Sequence, residues 1–267
     1  HSPLAPPNQQ LSRPSPFHHL SSPYTINPMP SLDTIISLLE QAAPPTLAEG
    51  WDNVGLLVGD RSREVKRLMT CLTITPASAK EAIDGKADAI VTHHPLPFHP
   101  LRQVTTDSTA GRLLWDLIGA RIAIYSPHTA FDSARAGINA YLAEGLGLKN
   151  VAPLVPSAAQ DVTEGAGRHG DAALPTTLAS LANGVKNFLK LKTVRVVGHD
   201  DQPVTRVGIA CGSGGSLLEA ARKLGCDGFL TGEATFHTCL EAEASGMSLV
   251  LTGHFASERF AIERVAD

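Results

Sequence analysis

The feature that most constrains the fold of this chain is an internal repeat. Ala87–Thr92 and Cys226–Thr231 each consist of a small residue, an aspartate and a short apolar run, and each follows an alanine-rich helical pattern. In both copies a polar turn, a helical pattern, an apolar run and a His-x-x-x-acid step come next, in the same order. The spacing differs between the copies, so the sequence predicts a duplicated structural unit rather than a tandem repeat.

Short apolar runs alternate with helical periodicity in both copies, and this alternation predicts α/β layers. The predicted strands are Arg67–Leu72, Ala89–Thr92, Ile122–Tyr125, Val194–Val197, Arg206–Ala210, Gly228–Thr231 and Leu249–Thr252. The predicted helices are one that begins after the N-cap Ser31, and then Ala77–Ile83, Ala110–Gly119, Ser216–Leu224, Phe236–Ser245 and Phe255–Val265. We therefore expect an α/β fold of two similar lobes, with a cleft between them.

Composition divides the chain into four parts. Residues 1–30 form a proline-rich leader without hydrophobic periodicity, for which we expect disorder. Residues 31–150 form the N-terminal α/β lobe, residues 151–177 a linker or loop rich in Pro, Ala, Gly and Thr, and residues 178–267 the C-terminal α/β lobe.

Charge, hydropathy and cysteine usage exclude several classes of protein. The formal net charge is −4, so bulk attraction to nucleic acid is not expected, and we predict no direct nucleic-acid binding. The sequence contains no apolar stretch long enough to span a bilayer. The four cysteines show no Cys-x-x-Cys spacing, which is typical of free thiols in a reducing compartment. A cytoplasmic protein is the expectation.

Histidines and carboxylates follow the predicted strands at equivalent places in the two copies. His93 and His94 follow one strand, Asp132 follows another, and His254 and Glu258 lie four residues apart at a helix start. That spacing places an imidazole and a carboxylate on one helix face, which suits a transition metal. Polar groups gather beyond the carboxyl ends of strands in α/β sheets, so both lobes would contribute ligands to one cleft.

Each of these features also has an ordinary explanation when taken alone. The paired histidines fit a polar loop, Asp132 fits a helix cap, and His254 with Glu258 fits a surface pair. Together they favour a metal site. Three histidines and two carboxylates exceed the needs of one four-coordinate ion, so we predict two divalent ions. Imidazole and carboxylate ligands suit Zn, Mn, Fe, Co or Ni, and the sequence does not select among these metals.

Other groups near the expected cleft are weaker candidates. Gly212, Ser213 and Gly214 lie between a strand and a helix, where backbone N–H groups could bind an anion or simply form a tight turn. Glu233 and His237 could hydrogen-bond a ligand or move protons as catalytic groups. The turn Gly50–Gly55 contains a tryptophan and could line a pocket or start a strand.

Taken together, these residues resemble the NIF3-like family, also known as GTP cyclohydrolase type 2 homologues or dinuclear metal centre proteins. The matching motifs, in order, are Gly50–Gly59 (GWDNVGLLVG), Thr92–Leu96 (THHPL), His128–Asp132 (HTAFD), Gly212–Gly214, Thr231–Glu233 and Gly253–Glu258 (GHFASE). The resemblance runs from about Leu32 to the C-terminus. It differs at Phe255 and Ser257, where many members carry Tyr and Thr, and relatives usually continue beyond the position of Asp267.

The resemblance implies two α/β lobes with a dinuclear metal centre between them and ligands at His93, His94, Asp132, His254 and Glu258. It also implies a ring-shaped homohexamer. Two functions remain open on the sequence. One is a metal-dependent hydrolase acting on a nucleotide or another phosphate-containing small molecule, by analogy with the GTP cyclohydrolase label. The other is a non-catalytic, metal-loaded binding module that acts through protein partners or in metal handling.

Overall fold

A computed structural model describes residues 17–19, 29–158 and 162–266 as a mixed α/β protein. The helices are α1 (Leu32–Ala42), α2 (Pro76–Asp84), α3 (Thr109–Gly119), α4 (His128–Ser133), α5 (Ile138–Gly145), α6 (Leu178–Leu189), α7 (Leu218–Lys223), α8 (Phe236–Ala244) and α9 (His254–Ala266). The strands are β1 (Phe17–His19), β2 (Gly55–Val58), β3 (Arg67–Cys71), β4 (Ala89–Thr92), β5 (Ala123–Ser126), β6 (Lys149–Ala152), β7 (Val155–Pro156), β8 (Gly165–Ala166), β9 (Arg168–Thr177), β10 (Arg195–Val197), β11 (Pro203–Ala210), β12 (Gly228–Thr231) and β13 (Ser248–Leu251).

The strands form two main sheets with the same central arrangement. The first has the order β1-β3-β4-β5-β2 and the second the order β10-β13-β12-β11-β9-β6. Strands β3, β4 and β5 are parallel neighbours, and so are β11, β12 and β13. Helices α2 and α3 connect the first three strands, and α7 and α8 connect the second three. The two-lobed α/β fold expected from the repeat is confirmed.

One aspartate in each copy shows how closely the two units correspond. Asp88, just before β4, accepts hydrogen bonds from the backbone N–H groups of Lys66 and Arg67 at 2.8 and 3.0 Å. Asp227, just before β12, accepts from the backbone N–H groups of Thr205 and Arg206, at 2.9–3.0 Å. Each carboxylate therefore joins the start of the central strand to the neighbouring parallel strand.

The region between the lobes is more ordered than its composition indicated. Residues 151–177, expected to be a linker, include the end of β6, the hairpin of β7 and β8, and the ten-residue strand β9. Strand β9 pairs with both β11 and β6, because its first half is buried in the second sheet. In the leader, β1 pairs antiparallel with β3 at the edge of the first sheet. The other leader residues up to 28 lie outside the described residues.

The helices after the two repeated units interlock the lobes. Phe131 of α4 and Ile138 of α5 come from the first unit, yet they pack in one core cluster with Val207 and Val250 of the second sheet. Val265 of α9 packs against the core formed by α1 and the first sheet. This exchange brings the starts of α4 and α9 to the same cleft. Among the described residues, every helix is too short or too polar to cross a membrane.

Candidate metal centre

The cleft collects the polar residues that follow the carboxyl ends of the parallel strands. His93 and His94 follow β4, His128 begins α4 just after β5, and His254 begins α9 just after β13. One helical turn later, Asp132 and Glu258 project from α4 and α9 toward the same histidines. The fold therefore brings together all five ligands expected from the sequence.

Glu258 lies at the centre of this cluster. Its Oε1 is 3.2 Å from His254 Nε2 and 3.7 Å from His93 Nε2, and its Oε2 is 3.2 Å from His94 Nε2. Asp132 Oδ1 approaches His93 Nε2 on the other side, at 3.7 Å. Only 2% of Glu258 and 1% of His93 are exposed, so the charges and the histidine ring lie in a weakly solvated environment. One carboxylate thus contacts histidines from both lobes.

Two overlapping groups of potential ligands emerge among the described residues. His94, His254 and Glu258 form one group, and His93, His94 and His128 form the other, with one ligand atom from each residue within 4.8 Å of the others in its group. Both ring nitrogens of His93 are buried without a hydrogen-bond partner in the part of the chain described, as is Oε2 of Glu258. Buried polar atoms of this kind require a partner, and a divalent ion fits a donor set of imidazoles and carboxylates.

Three of the histidines are oriented through the nitrogen that faces away from the cluster. Nδ1 of His94 is 2.6 Å from Thr73 Oγ1, and Nδ1 of His254 is 2.9 Å from Glu233 Oε1. Nδ1 of His128 is 2.8 Å from Asp52 Oδ1. In each case Nε2 remains available toward the cleft. Metal-binding histidines commonly have such a partner, which fixes the ring orientation and raises its basicity.

The charges of Glu258 and His254 stabilise each other. Burial alone would raise the pKa of the Glu258 carboxyl, but hydrogen bonds from His254, His93 and His94 outweigh it and hold that pKa well below its usual range. The hydrogen bond to Glu258, with a smaller contribution from Glu233, raises the pKa of His254 to about 9 despite partial burial. Without a metal, a proton therefore occupies this part of the cluster at neutral pH.

Burial has the opposite outcome at Asp132. There it is the largest effect and raises the pKa of the carboxyl, although His93 opposes the shift. The buried thiol of Cys211, whose pKa burial also raises well above its usual value, donates a hydrogen bond to Asp132 Oδ1 at 3.2 Å. Asn139 bonds the carbonyl of Asp132 and the N–H of Cys211, so it joins α4 to the end of β11.

Gly212 serves the cluster through its lack of a side chain. Its N–H donates to Ser257 Oγ at 2.9 Å, and its carbonyl accepts from the N–H of Glu233 at 2.9 Å. A Cβ at this position would lie 2.3 Å from Glu258 Oε1, and the backbone φ is +58°. The N–H that we expected to face an anion is therefore used within the protein, and the glycine instead gives Glu258 room.

The remaining sequence candidates lie at different distances from the cluster. Ser213 Oγ donates to Glu233 Oε1 at 2.6 Å, so both residues support His254, and the exposed Glu233 carboxylate still faces solvent. The same hydrogen bond from His254 is the main cause that lowers the pKa of Glu233. Gly214 lines the cleft, where a 3-10 turn begins. His237 lies on α8, exposed, with its ring beside Phe236 and away from the cleft lining.

Sequence reasoning missed the roles of His128 and Asp52. Both lie in motifs noted above, but they are 76 residues apart, and only the fold brings them together. Burial would raise the pKa of Asp52, but hydrogen bonds from His128 and Thr129 lower it to about 2. His128 also has a positive φ of +28°, a strained conformation at the start of α4. The aspartate-histidine pair therefore has the same architecture as Glu233 with His254.

The cluster opens into a cleft of about 380 Å³. Its walls come from both lobes and include Trp51 and Phe98 on one side and the Cys211–Gly214 turn on the other. A cleft of this volume accommodates a small molecule. A second groove of about 480 Å³ between α2 and α3 contains none of the residues of the histidine cluster. The chemistry of this protein therefore points to the smaller cleft.

Comparison with known proteins places this arrangement in a family. The family model described as Duf34/NIF3 (NGG1p interacting factor 3) matches residues 30–267. A Clostridium perfringens protein named "GTP cyclohydrolase 1 type 2 homolog" is 36% identical over 227 residues, which cover 85% of this chain and 86% of that protein. A Schizosaccharomyces pombe protein named "Protein NIF3 homolog" is 36% identical over 232 residues, covering 83% of this chain and 82% of that one.

A solved structure supports the fold. The crystal structure of a Bacillus cereus protein related to NIF3 superposes with a TM-score of 0.81, covering 90% of this chain and 93% of that chain. At 24% sequence identity this similarity concerns the fold alone.

Proposed function

The chain belongs to the Duf34/NIF3 family, and from this membership and the buried His/Glu cluster we propose that it is a metal-dependent hydrolase with a dinuclear centre. The proposed ligands are His93, His94, Asp132, His254 and Glu258, with His128 as a further histidine of the cluster. The proposed substrate is a nucleotide or another phosphate-containing small molecule. The similarity to proteins named GTP cyclohydrolase 1 type 2 homolog supports this substrate class.

The position of Glu258 carries the proposal. Its two oxygens approach histidines of both lobes, so a single carboxylate can serve two adjacent ions. A structural metal site is closed by its ligands, whereas this cluster borders an open cleft of about 380 Å³. This combination favours a site that acts on a ligand over one that only stabilises the fold.

Two bound divalent ions would supply Lewis-acid chemistry, since they acidify water and polarise a phosphoryl or carbonyl group. The residues of the chain supply the frame. Asp52 and Glu233 fix the rings of His128 and His254, and the low-polarity surroundings of Glu258 strengthen electrostatic interactions in the cleft. The exposed carboxylate of Glu233, 2.9 Å from His254 Nδ1, is placed to accept a proton that leaves the cleft.

Turnover by defined metal-loaded protein tests this function. The purified full chain is stripped of metal and reloaded separately with Zn, Mn, Fe, Co or Ni. It is then assayed on nucleoside triphosphates, nucleoside monophosphates and simple phosphoesters. We expect turnover with at least one metal, and we expect Glu258→Gln to abolish it. An absence of turnover with every metal at full occupancy would overturn the hydrolase and support the metal-loaded binding module instead.

Assembly is the second part of the proposal. We expect a homo-oligomer, with the hexameric ring that the resemblance implies, a small-molecule ligand and no direct contact with nucleic acid. Light scattering of the full chain tests the oligomeric state, and a monomer would contradict it.

A further inference from the structure

Two exposed aromatic rings lie at the mouth of the cleft and take no part in the metal cluster. Trp51 is 60% exposed and Phe98 is 44% exposed, although both line the cleft. Their ring centroids are 6.0 Å apart, and each lies about 6 Å from the ring of His128, at 6.1 and 6.0 Å. Contiguous exposed apolar surface beside a polar cavity is typical of a ligand-binding site.

The rings are held in place by hydrogen bonds of the residues next to them. Asp52 accepts hydrogen bonds from Thr129 N and Thr129 Oγ1 at 3.1 and 2.5 Å, in addition to its pair with His128. Asn53 Nδ2 donates to the carbonyl of Pro97 at 2.8 Å and so joins the Trp51 turn to the Phe98 loop. Because both supporting segments are fixed, binding on these rings costs little conformational entropy.

His128 connects the aromatic rings to the metal cluster. On one side it meets Trp51 and Phe98, and on the other its ring centroid lies 5.1 Å from His93 and 5.6 Å from His94. A planar molecule stacked on Trp51 would therefore have its edge beside the histidine cluster. The cleft volume of about 380 Å³ has room for one such ring with a polar substituent.

We propose that Trp51 and Phe98 form a stacking site for a planar heteroaromatic ring. Indole and phenyl faces bind the π-face of any nucleobase-like ring, whereas an aliphatic phosphoester would leave them exposed to water. Resting on the proposed function, this site specifies the substrate class: a small molecule that carries a heteroaromatic ring and an oxygen-rich group for the metal cluster. The ring binds at the cleft mouth and the reacting group lies deeper.

The two tryptophans of the chain provide a direct test. Trp115→Phe, a change on α3 and away from the cleft lining, leaves Trp51 as the sole indole. We expect guanosine or adenosine 5′-monophosphate to quench Trp51 fluorescence in this variant, and ribose 5-phosphate, which has no ring, to leave it unchanged. In calorimetry, Trp51→Ala should weaken nucleotide binding about tenfold or more while metal content stays the same.

Three results would overturn the stacking site. Equal quenching by ribose 5-phosphate would indicate a phosphate contact without stacking. An unchanged nucleotide affinity in Trp51→Ala would remove the role of the indole. A change of oligomeric state in Trp51→Ala, with nucleotide affinity unchanged, would assign the rings to an interface between copies of the chain.

The design separates this inference from the proposed function. Ring-dependent quenching without any turnover would leave the stacking site in place and remove the hydrolase. Turnover of ring-free phosphoesters, with a KM that Trp51→Ala does not change and without nucleotide quenching, would do the reverse.

Discussion

At the residue scale, Glu258 is the side chain that the cluster depends on most. Glu258→Gln keeps shape and volume, but an amide is a weaker ligand for a divalent ion. We expect metal affinity to fall by more than the roughly 10–100-fold typical of a residue that only supports a ligand, with the fold intact because no cavity forms. Glu263→Gln, on the exposed face of the same helix, is the matched control. Equal metal titrations for Glu258→Gln and the wild type would mean that Glu258 is not a ligand.

Gly212 gives a second test at this scale, with a natural control elsewhere in the chain. Gly246 has a similar left-handed φ, +73° against +58°, but a Cβ there meets nothing within 4 Å, whereas at Gly212 it meets Glu258. Both alanine variants should lose about 1–2 kcal/mol of folding free energy through backbone strain. Only Gly212→Ala should also weaken metal binding, by about tenfold or more. Identical metal affinities in the two variants would contradict the steric role of Gly212.

The protonation of His254 predicts a pH dependence for the metal-free protein. Its folded-state pKa is raised from 6.5 to about 9, so its contribution to stability is fully present below pH 6.5 and is lost as the pH rises through about 9. We expect the free energy of unfolding to fall by about 1–2 kcal/mol across this window, allowing for solvent screening of a partly exposed ring. Denaturant titrations at several pH values measure it.

Metal affinity should change in the opposite direction over the same pH range, because the ring must lose its proton to bind. His237→Gln, an exposed histidine away from the cleft, should keep both pH profiles. A flat stability profile in the wild type would contradict the coupling of His254 to Glu258.

The residues that strand ends position were predictable, and those that depend on long-range contacts were not. His93, His94, His254 and Glu258 follow strands or share a helix face, so local periodicity places them. Asp52 meets His128 only through the docking of two loops. Local patterns carry no signal for that contact, although Asp52 stood within a recognisable motif. The same limit explains why the role of Gly212 was predicted as anion binding.

At the scale of elements, apolar periodicity found the repeated strands but missed β9. The predicted strands Ala89–Thr92 and Gly228–Thr231 match β4 and β12, because each is a fully buried apolar run. Strand β9 begins with Arg168, His169 and Gly170, which are buried without being apolar. Its polar start satisfies the second sheet and neighbouring carbonyl groups instead of filling a core. Hydrophobicity therefore gives no signal for this strand.

Arg168 provides a prediction about how β9 supports α4. Its buried guanidinium donates to the carbonyls of Gly165 and Gly167 at 2.7 Å, and to those of Ser133 and Ala134 at 3.2 and 2.6 Å. Arg168→Lys keeps the charge but cannot reproduce the planar fork, so some of these carbonyls lose their donor. We expect a loss of about 2–4 kcal/mol in unfolding free energy, measured by urea denaturation.

The matched control for Arg168 is Arg195→Lys on the exposed strand β10, which should change stability by less than about 0.5 kcal/mol. Weaker metal binding in Arg168→Lys is also expected, because Asp132 lies directly before Ser133 at the end of α4. Equal stability of the two lysine variants would show that the fork geometry of Arg168 is not required.

At the scale of the whole molecule, the cleft exists because the lobes exchange helices. The core of the second sheet includes Phe131 and Ile138 from the first unit, and α9 of the second unit reaches the core of the first sheet. The histidine cluster lies where these exchanged helices start. A ligand that bridges the cluster therefore stabilises both lobes at once, and the protein should unfold in a single transition when it is loaded with metal.

Metal stoichiometry tests this whole-molecule arrangement, and it is the prediction with the widest consequence. We expect two ions per chain at saturation, measured by elemental analysis after careful reloading. Asp132→Asn should remove one ion, because the group of His94, His254 and Glu258 remains complete, whereas Glu258→Gln should weaken both positions, since its oxygens face both lobes. At a free metal concentration about 100 times the dissociation constant, each retained ion should contribute about 2.7 kcal/mol to stability. Thermal unfolding with stepwise added metal would then show two increments for the wild type and one for Asp132→Asn. A wild-type value of one ion or none at saturation would remove the dinuclear centre and, with it, the reason for two lobes to converge on Glu258.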